Sequence, residues 1–168
     1  MTAASSIQSN RLNWSTIVML TLSFWLSGSV ILDWVIMPSL YVSGMMTQAG
    51  FATAGYLVFG NFNRVELLSA ALVVTGMLVL ATQANANKRG ASTIVLALVL
   101  LAVSLTETYF LTPQMSALGI QLNLFDAVEI PSTMNQLHAG YWLLETIKLV
   151  VGGTLLTWCF QQQNVCEK

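Results

Sequence analysis

The chain's only histidine, His138, shares the apolar run from Met134 to Phe160 with two opposite charges, Glu145 and Lys148. On a helix, His138, Glu145 and Gly152 fall seven residues apart and occupy one stripe. Lys148 follows Glu145 by three residues and reaches it from the next turn. A helix face turned to lipid carries none of these groups. Four further ionisable residues, Asp33, Arg64, Glu66 and Glu107, sit near the ends of the other apolar runs. Packing the runs together therefore gathers acids, cations and an imidazole into one polar layer.

Two kinds of chemistry suit such a layer. In the first, the charges satisfy one another and hold the helices together: Lys148 pairs with Glu145, and Arg64 pairs with Asp33, Glu66 or Glu107. In the second, the four acids exceed the two cations, and the surplus takes up protons, water or a bound cation. Glu107, His138 and Glu145 are then the residue types that would hold a metal ion or pass a proton.

These residues must be positioned by membrane-spanning helices. Of the 168 residues, 55% are hydrophobic and only 8% are charged, against about 25% charged in soluble domains. The expected fold is all-α, an integral membrane four-helix bundle forming a single domain over residues 1–168, with the lipid bilayer as its main solvent. Apolar stretches at about 14–37, 62–84, 92–111 and 134–160 match the ~20 residues needed to cross a bilayer. The polar start, Met1 to Asn13, lacks the pattern of a cleaved signal. Pro38 disturbs or ends the first span.

The uncharged stretch 39–60 is long enough to span but rich in Gly, Thr and Gln. It is expected to lie in the interface or to re-enter, because this places Arg11, Lys88, Arg89 and Lys168 on one side of the membrane. Asp126 and Glu129 then fall on the other, within a connection at 112–133 that is expected to form a short surface helix or cap. By the positive-inside rule both termini are cytoplasmic, in a bacterial cell membrane or an internal membrane.

Several functions are excluded by what the chain lacks. A net charge of −1 with scattered cations gives no field for nucleic acid. Cys159 and Cys166 have no zinc-site spacing and read as free thiols. A second histidine for bis-histidine haem is missing, as is the repeated Glu-x-x-His of di-metal bundles. No nucleophile triad or phosphate loop is present, so no enzyme activity and no cofactor are expected beyond a bound metal ion.

Several short stretches taken together resemble the transmembrane protein 205-like domain family. They are Trp25 to Gly28 with Pro38, Gln48-Ala49-Gly50 through Gly55 and Phe59, Tyr109 to Pro113, and Leu137-His138-Ala139-Gly140 followed by Glu145 and Lys148. The resemblance implies a small four-span membrane protein of largely unknown activity. Its eukaryotic relatives are linked to platinum-drug resistance, and so to handling of metal compounds or to vesicle traffic.

The leading expectation is a structural, assembly or partner-docking membrane protein whose polar cluster lies in the outer leaflet, with small residues at Ser69, Ala70, Gly76, Gly152 and Gly153 permitting close helix contacts or a homo-oligomer. The alternative is a small cation, metal or proton transporter or sensor using Glu107, His138 and Glu145.

Overall fold

The computed structural model describes residues 13–45, 48, 50–83, 88–124 and 132–166. Among them it has no strand and four long helices: α1 (Trp14–Val42), α2 (Phe51–Gln83), α3 (88–124) and α4 (Ser132–Cys166). Each contains a stretch long and apolar enough to cross a membrane, as expected of an integral membrane protein. The helices run up-down-up-down, and each packs against its neighbours in sequence, with α4 closing the ring on α1. The start of α1 and the end of α4 share one end of the bundle with the end of α2 and the start of α3. This is the terminal end, and the opposite end is called distal.

The surface follows membrane rather than aqueous logic. Large apolar side chains such as Phe24, Leu68, Leu98 and Val150 point outward, whereas Asp33, Glu66, Glu107, Glu145 and Lys148 are each 0–1% exposed. Water would favour the reverse. In the terminal half, Val18, Leu22, Val73, Leu100 and Leu155 pack into one apolar core with Cys159. Close approach there depends on missing side chains: a Cβ on Gly76 would meet Val18 Cγ2 at 2.2 Å, and one on Gly152 would meet Leu26 Cδ2 at 2.7 Å. Gly153, by contrast, has nothing within 4 Å of that position.

All four helices run further than their apolar patterns suggest. The candidate spans are Trp14–Val42, Phe51–Thr82, Gly90–Ile120 and Ser132–Gln161. Two prolines explain part of this extension. A proline within a helix removes one hydrogen bond and crowds the carbonyl four residues earlier, and here the chain widens instead of stopping. Each of two π-helical turns, Val30–Ile36 and Glu107–Leu111, ends two residues before a proline, Pro38 or Pro113. The helix then resumes as Met37–Val42 and Thr112–Leu124.

The stretch 39–60, expected as an interfacial or re-entrant segment, forms no separate long element among its described residues. Its first residues complete α1, and its last ten belong to α2. Between them the chain turns, with Gly44 and Gly50 at φ of +71° and +86°, a backbone region open to glycine. The connection expected at 112–133 is also shared out, because α3 runs on to Leu124 and α4 begins at Ser132. Arg11, Asp126, Glu129 and Lys168 lie outside the described residues.

A candidate proton and cation site at mid-length of the bundle

Extending the helices moves the polar layer. Glu66 lies fifteen residues from Phe51 and seventeen from Gln83, so about 22–26 Å of helix runs away from it in each direction. Glu107 and Lys148 are similarly central in α3 and α4. The layer therefore sits at mid-length of the helices, whereas ending the spans near Pro38 and Pro113 had put it in one half.

Its centre is Lys148. The ammonium donates to Glu66 Oε1 at 2.6 Å, to Glu107 Oε2 at 3.4 Å and to Glu145 Oε1, joining α2, α3 and α4. Helix α1 enters through Glu66, whose Oε1 also accepts from the Trp25 indole N–H and the Ser29 hydroxyl, each at 2.9 Å. One carboxylate oxygen thus takes three donors from two helices. Trp25, Ser29 and Asp33 recur every four residues along α1 and lie on one face, so that Asp33 comes one turn distal to Ser29. Its Oδ1 accepts from the Tyr141 hydroxyl at 2.7 Å, while Tyr141 lies one turn distal to Glu145. Beside these, the Asn63 amide donates to the Thr112 hydroxyl at 2.7 Å.

The expected ion pairs divide accordingly. Glu145 pairs with Lys148 as its spacing predicts, and Glu66 is paired too, but with Lys148. Arg64 is exposed and forms no ion pair among the described residues. Two residues along a helix turn the side chain by about 200°, so Arg64 and Glu66 cannot both face inward. Asp33 is buried, and its bonded partner is a tyrosine rather than a cation. The proposed set Glu107, His138 and Glu145 is likewise split. His138 is exposed two turns distal to Glu145, with its Nδ1 donating to the Met134 carbonyl at 2.9 Å. Glu66 takes its place: one carboxylate oxygen each from Glu66, Glu107 and Glu145 lie within 4.8 Å of one another.

With Arg64 outside, four buried acids face a single buried cation among the described residues. Glu107 Oε1, Glu145 Oε2, Asp33 Oδ2, Asn63 Oδ1 and the Ser104 hydroxyl are buried without a hydrogen-bond partner among the described residues. Ser104 is one turn from Glu107 on α3. A charge at membrane depth costs about 2.5–3.5 kcal/mol on insertion scales, so three uncompensated carboxylates are a strong demand for positive charge. Both π-turns serve this layer: one carries Asp33 and the other opens with Glu107. Such turns are common at functional sites because they displace side chains from the regular helical spiral.

Sequence reasoning missed Trp25, Ser29, Asn63, Ser104, Thr112 and Tyr141. For four of them a signal was present, since Ser29 precedes Asp33 by four residues, Asn63 precedes Glu66 by three, Ser104 precedes Glu107 by three and Tyr141 precedes Glu145 by four. Polar residues at helical spacing from a buried acid mark its inward face. A scan against models of known protein families finds no match, and searches of curated proteins and of solved structures likewise find none.

Proposed function

We propose that this is a small multi-pass membrane protein that takes up and releases a proton at the Glu66, Glu107 and Glu145 cluster, acting as a proton-linked transporter or sensor. The observation that carries the reading is the surplus of buried acid: among the described residues, Asp33, Glu66, Glu107 and Glu145 surround Lys148 alone, with five polar oxygens of the layer unpartnered. A proton suits the geometry better than a metal ion. The Lys148 ammonium already occupies the space among the three carboxylates, and a metal would have to displace it. If both termini are cytoplasmic, the distal end faces outward, and the apolar core of the terminal half separates the cluster from the cytoplasmic side.

The resemblance to the transmembrane protein 205-like family enters the same proposal, because Trp25, Glu145 and Lys148, which help to carry it, meet in this cluster. The test is infrared difference spectroscopy of the purified protein exchanged between acidic and alkaline buffer. A protonated carboxyl band that vanishes on alkalinisation, and that weakens in Glu107→Gln and Glu145→Gln, is the expected result. A folded protein with no titrating carboxyl band would reject the reading.

The second reading is structural, and one feature favours it: the bonds of Lys148, Trp25 and Ser29 to Glu66 Oε1, with that of Lys148 to Glu107, bring all four helices into one network. In that case the protein assembles with a membrane partner or with its own copies. Gly55, Gly60 and Gly153, which have open space beside them, offer close approach.

A further inference from the structure

Directly distal to the acid cluster, all four helices line one cavity of about 80 Å³. Asp33 and Tyr141 form its polar floor. Phe59, Trp142, Met37 and Met115 contribute apolar walls, and His138 and Ser116 stand beside them. Phe59 meets the Tyr141 ring edge-on at 6.0 Å and Trp34 meets Trp142 in the same way at 5.3 Å, so the aromatic walls are braced.

The informative atom is Asp33 Oδ2. Asp33 is 1% exposed, its Oδ1 is taken by Tyr141, and Oδ2 meets no N–H or O–H donor among the described residues, with the Glu145 carboxyl beside the group. A buried acceptor left unpaired costs about 1–3 kcal/mol, and more when charged. The surplus acid beneath it adds a negative potential that repels anions from this space and attracts cations. A hard metal ion would need about six oxygen ligands, and these mostly aromatic and thioether walls do not supply them. Such walls suit methyl groups carrying a diffuse positive charge, through cation–π attraction worth about 0.5–2 kcal/mol. The volume equals that of two or three waters at about 30 Å³ each, which limits the occupant to a few heavy atoms.

We propose that this vestibule binds a small organic monocation, a methylated or short-alkyl ammonium, with its charge against Asp33 and its methyl groups against Phe59, Tyr141 and Trp142. The inference rests on the proton-site reading in one respect, that the acid cluster supplies the negative field, and it names the class of ligand that the cluster would serve.

The probe is dimethylammonium chloride, titrated calorimetrically into the full-length protein in mild detergent, beside ethanol as a neutral molecule with the same number of heavy atoms. Saturable one-to-one binding is expected, weakened by about tenfold or more in Asp33→Asn, equivalent to about 1.4 kcal/mol. Ser116→Leu should abolish binding by narrowing the cavity while leaving the Asp33–Tyr141 hydrogen bond in place. No saturable heat, equal affinity for ethanol, or undiminished binding in both variants would overturn the proposal. The carboxyl titration run on the same samples separates the two readings. A cluster that titrates without dimethylammonium binding rejects the vestibule alone; binding without titration rejects the proton site and leaves the vestibule standing.

Discussion

The Lys148 ammonium lies 2.6 Å from the Glu66 carboxylate, eighty-two residues away in sequence. The contact joins the centre of α4 to the centre of α2, and the same ammonium reaches Glu107 and Glu145. Removing either partner therefore has unequal consequences. Four predictions follow from the geometry around this contact and from the packing on either side of it.

Lys148→Met should be the most damaging single change in the layer. It leaves Glu66, Glu107 and Glu145 together without a cation, and breaking a buried pair in this way costs about 3–5 kcal/mol. Glu145→Gln removes one acid of a surplus and should cost much less. Thermal unfolding in detergent compares them. Adding Lys148→Met to Glu145→Gln should worsen stability, because Glu66 and Glu107 also lose their cation; rescue would show that the lysine serves Glu145 alone.

Trp25→Phe keeps most of the buried ring and deletes the N–H that donates to Glu66. Hydrogen bonds to charged groups contribute about 1.5–3 kcal/mol, so a loss within that range is expected, with a smaller loss for Ser29→Ala. Both donors serve one oxygen, and the double mutant should depart from additivity by about 0.5 kcal/mol or more. Strict additivity would mean that the two donors do not share Glu66.

Arg64→Gln should leave stability within about 0.5 kcal/mol of the parent, as is usual for exposed positions. A loss of several kcal/mol in the same unfolding assay would place Arg64 back inside the bundle as a counter-ion.

Gly76→Ala should destabilise the α1–α2 contact, since the new methyl meets Val18 Cγ2 at 2.2 Å; overpacking of this kind costs about 1–3 kcal/mol. Val18→Ala should recover part of the loss. Gly153→Ala, whose new methyl has open space, serves as the control and should be neutral or slightly stabilising, given alanine's higher helix propensity. Equal losses at the two glycines would contradict the packing.

Composition was enough to read a four-span helical chain, because hydrophobicity and helical period are local properties. Spacing was enough to pair Glu145 with Lys148, since three residues on a helix fix the distance between them. Boundaries were less legible. Pro38 and Pro113 look like helix ends, and a residue pattern does not reveal that neighbouring helices hold the chain together through a π-turn and allow it to continue.

The same limit explains the site. Asp33, Glu66, Glu107 and Glu145 stood out because acids in apolar runs are costly wherever they fall. Which cation meets them depends on how each helix is rotated about its axis and slid past its neighbours. With Asn63, Glu66, Ala70 and Val73 turned inward on α2, Arg64 points away and Lys148 alone reaches the acids. On α4, seven residues of helical rise, about 10 Å, separate His138 from Glu145 and leave the histidine beside the vestibule. Hydrophobicity, helical period and close spacing act within one stretch of chain, whereas rotation and register are collective properties of four packed helices. Packing therefore decided the partners.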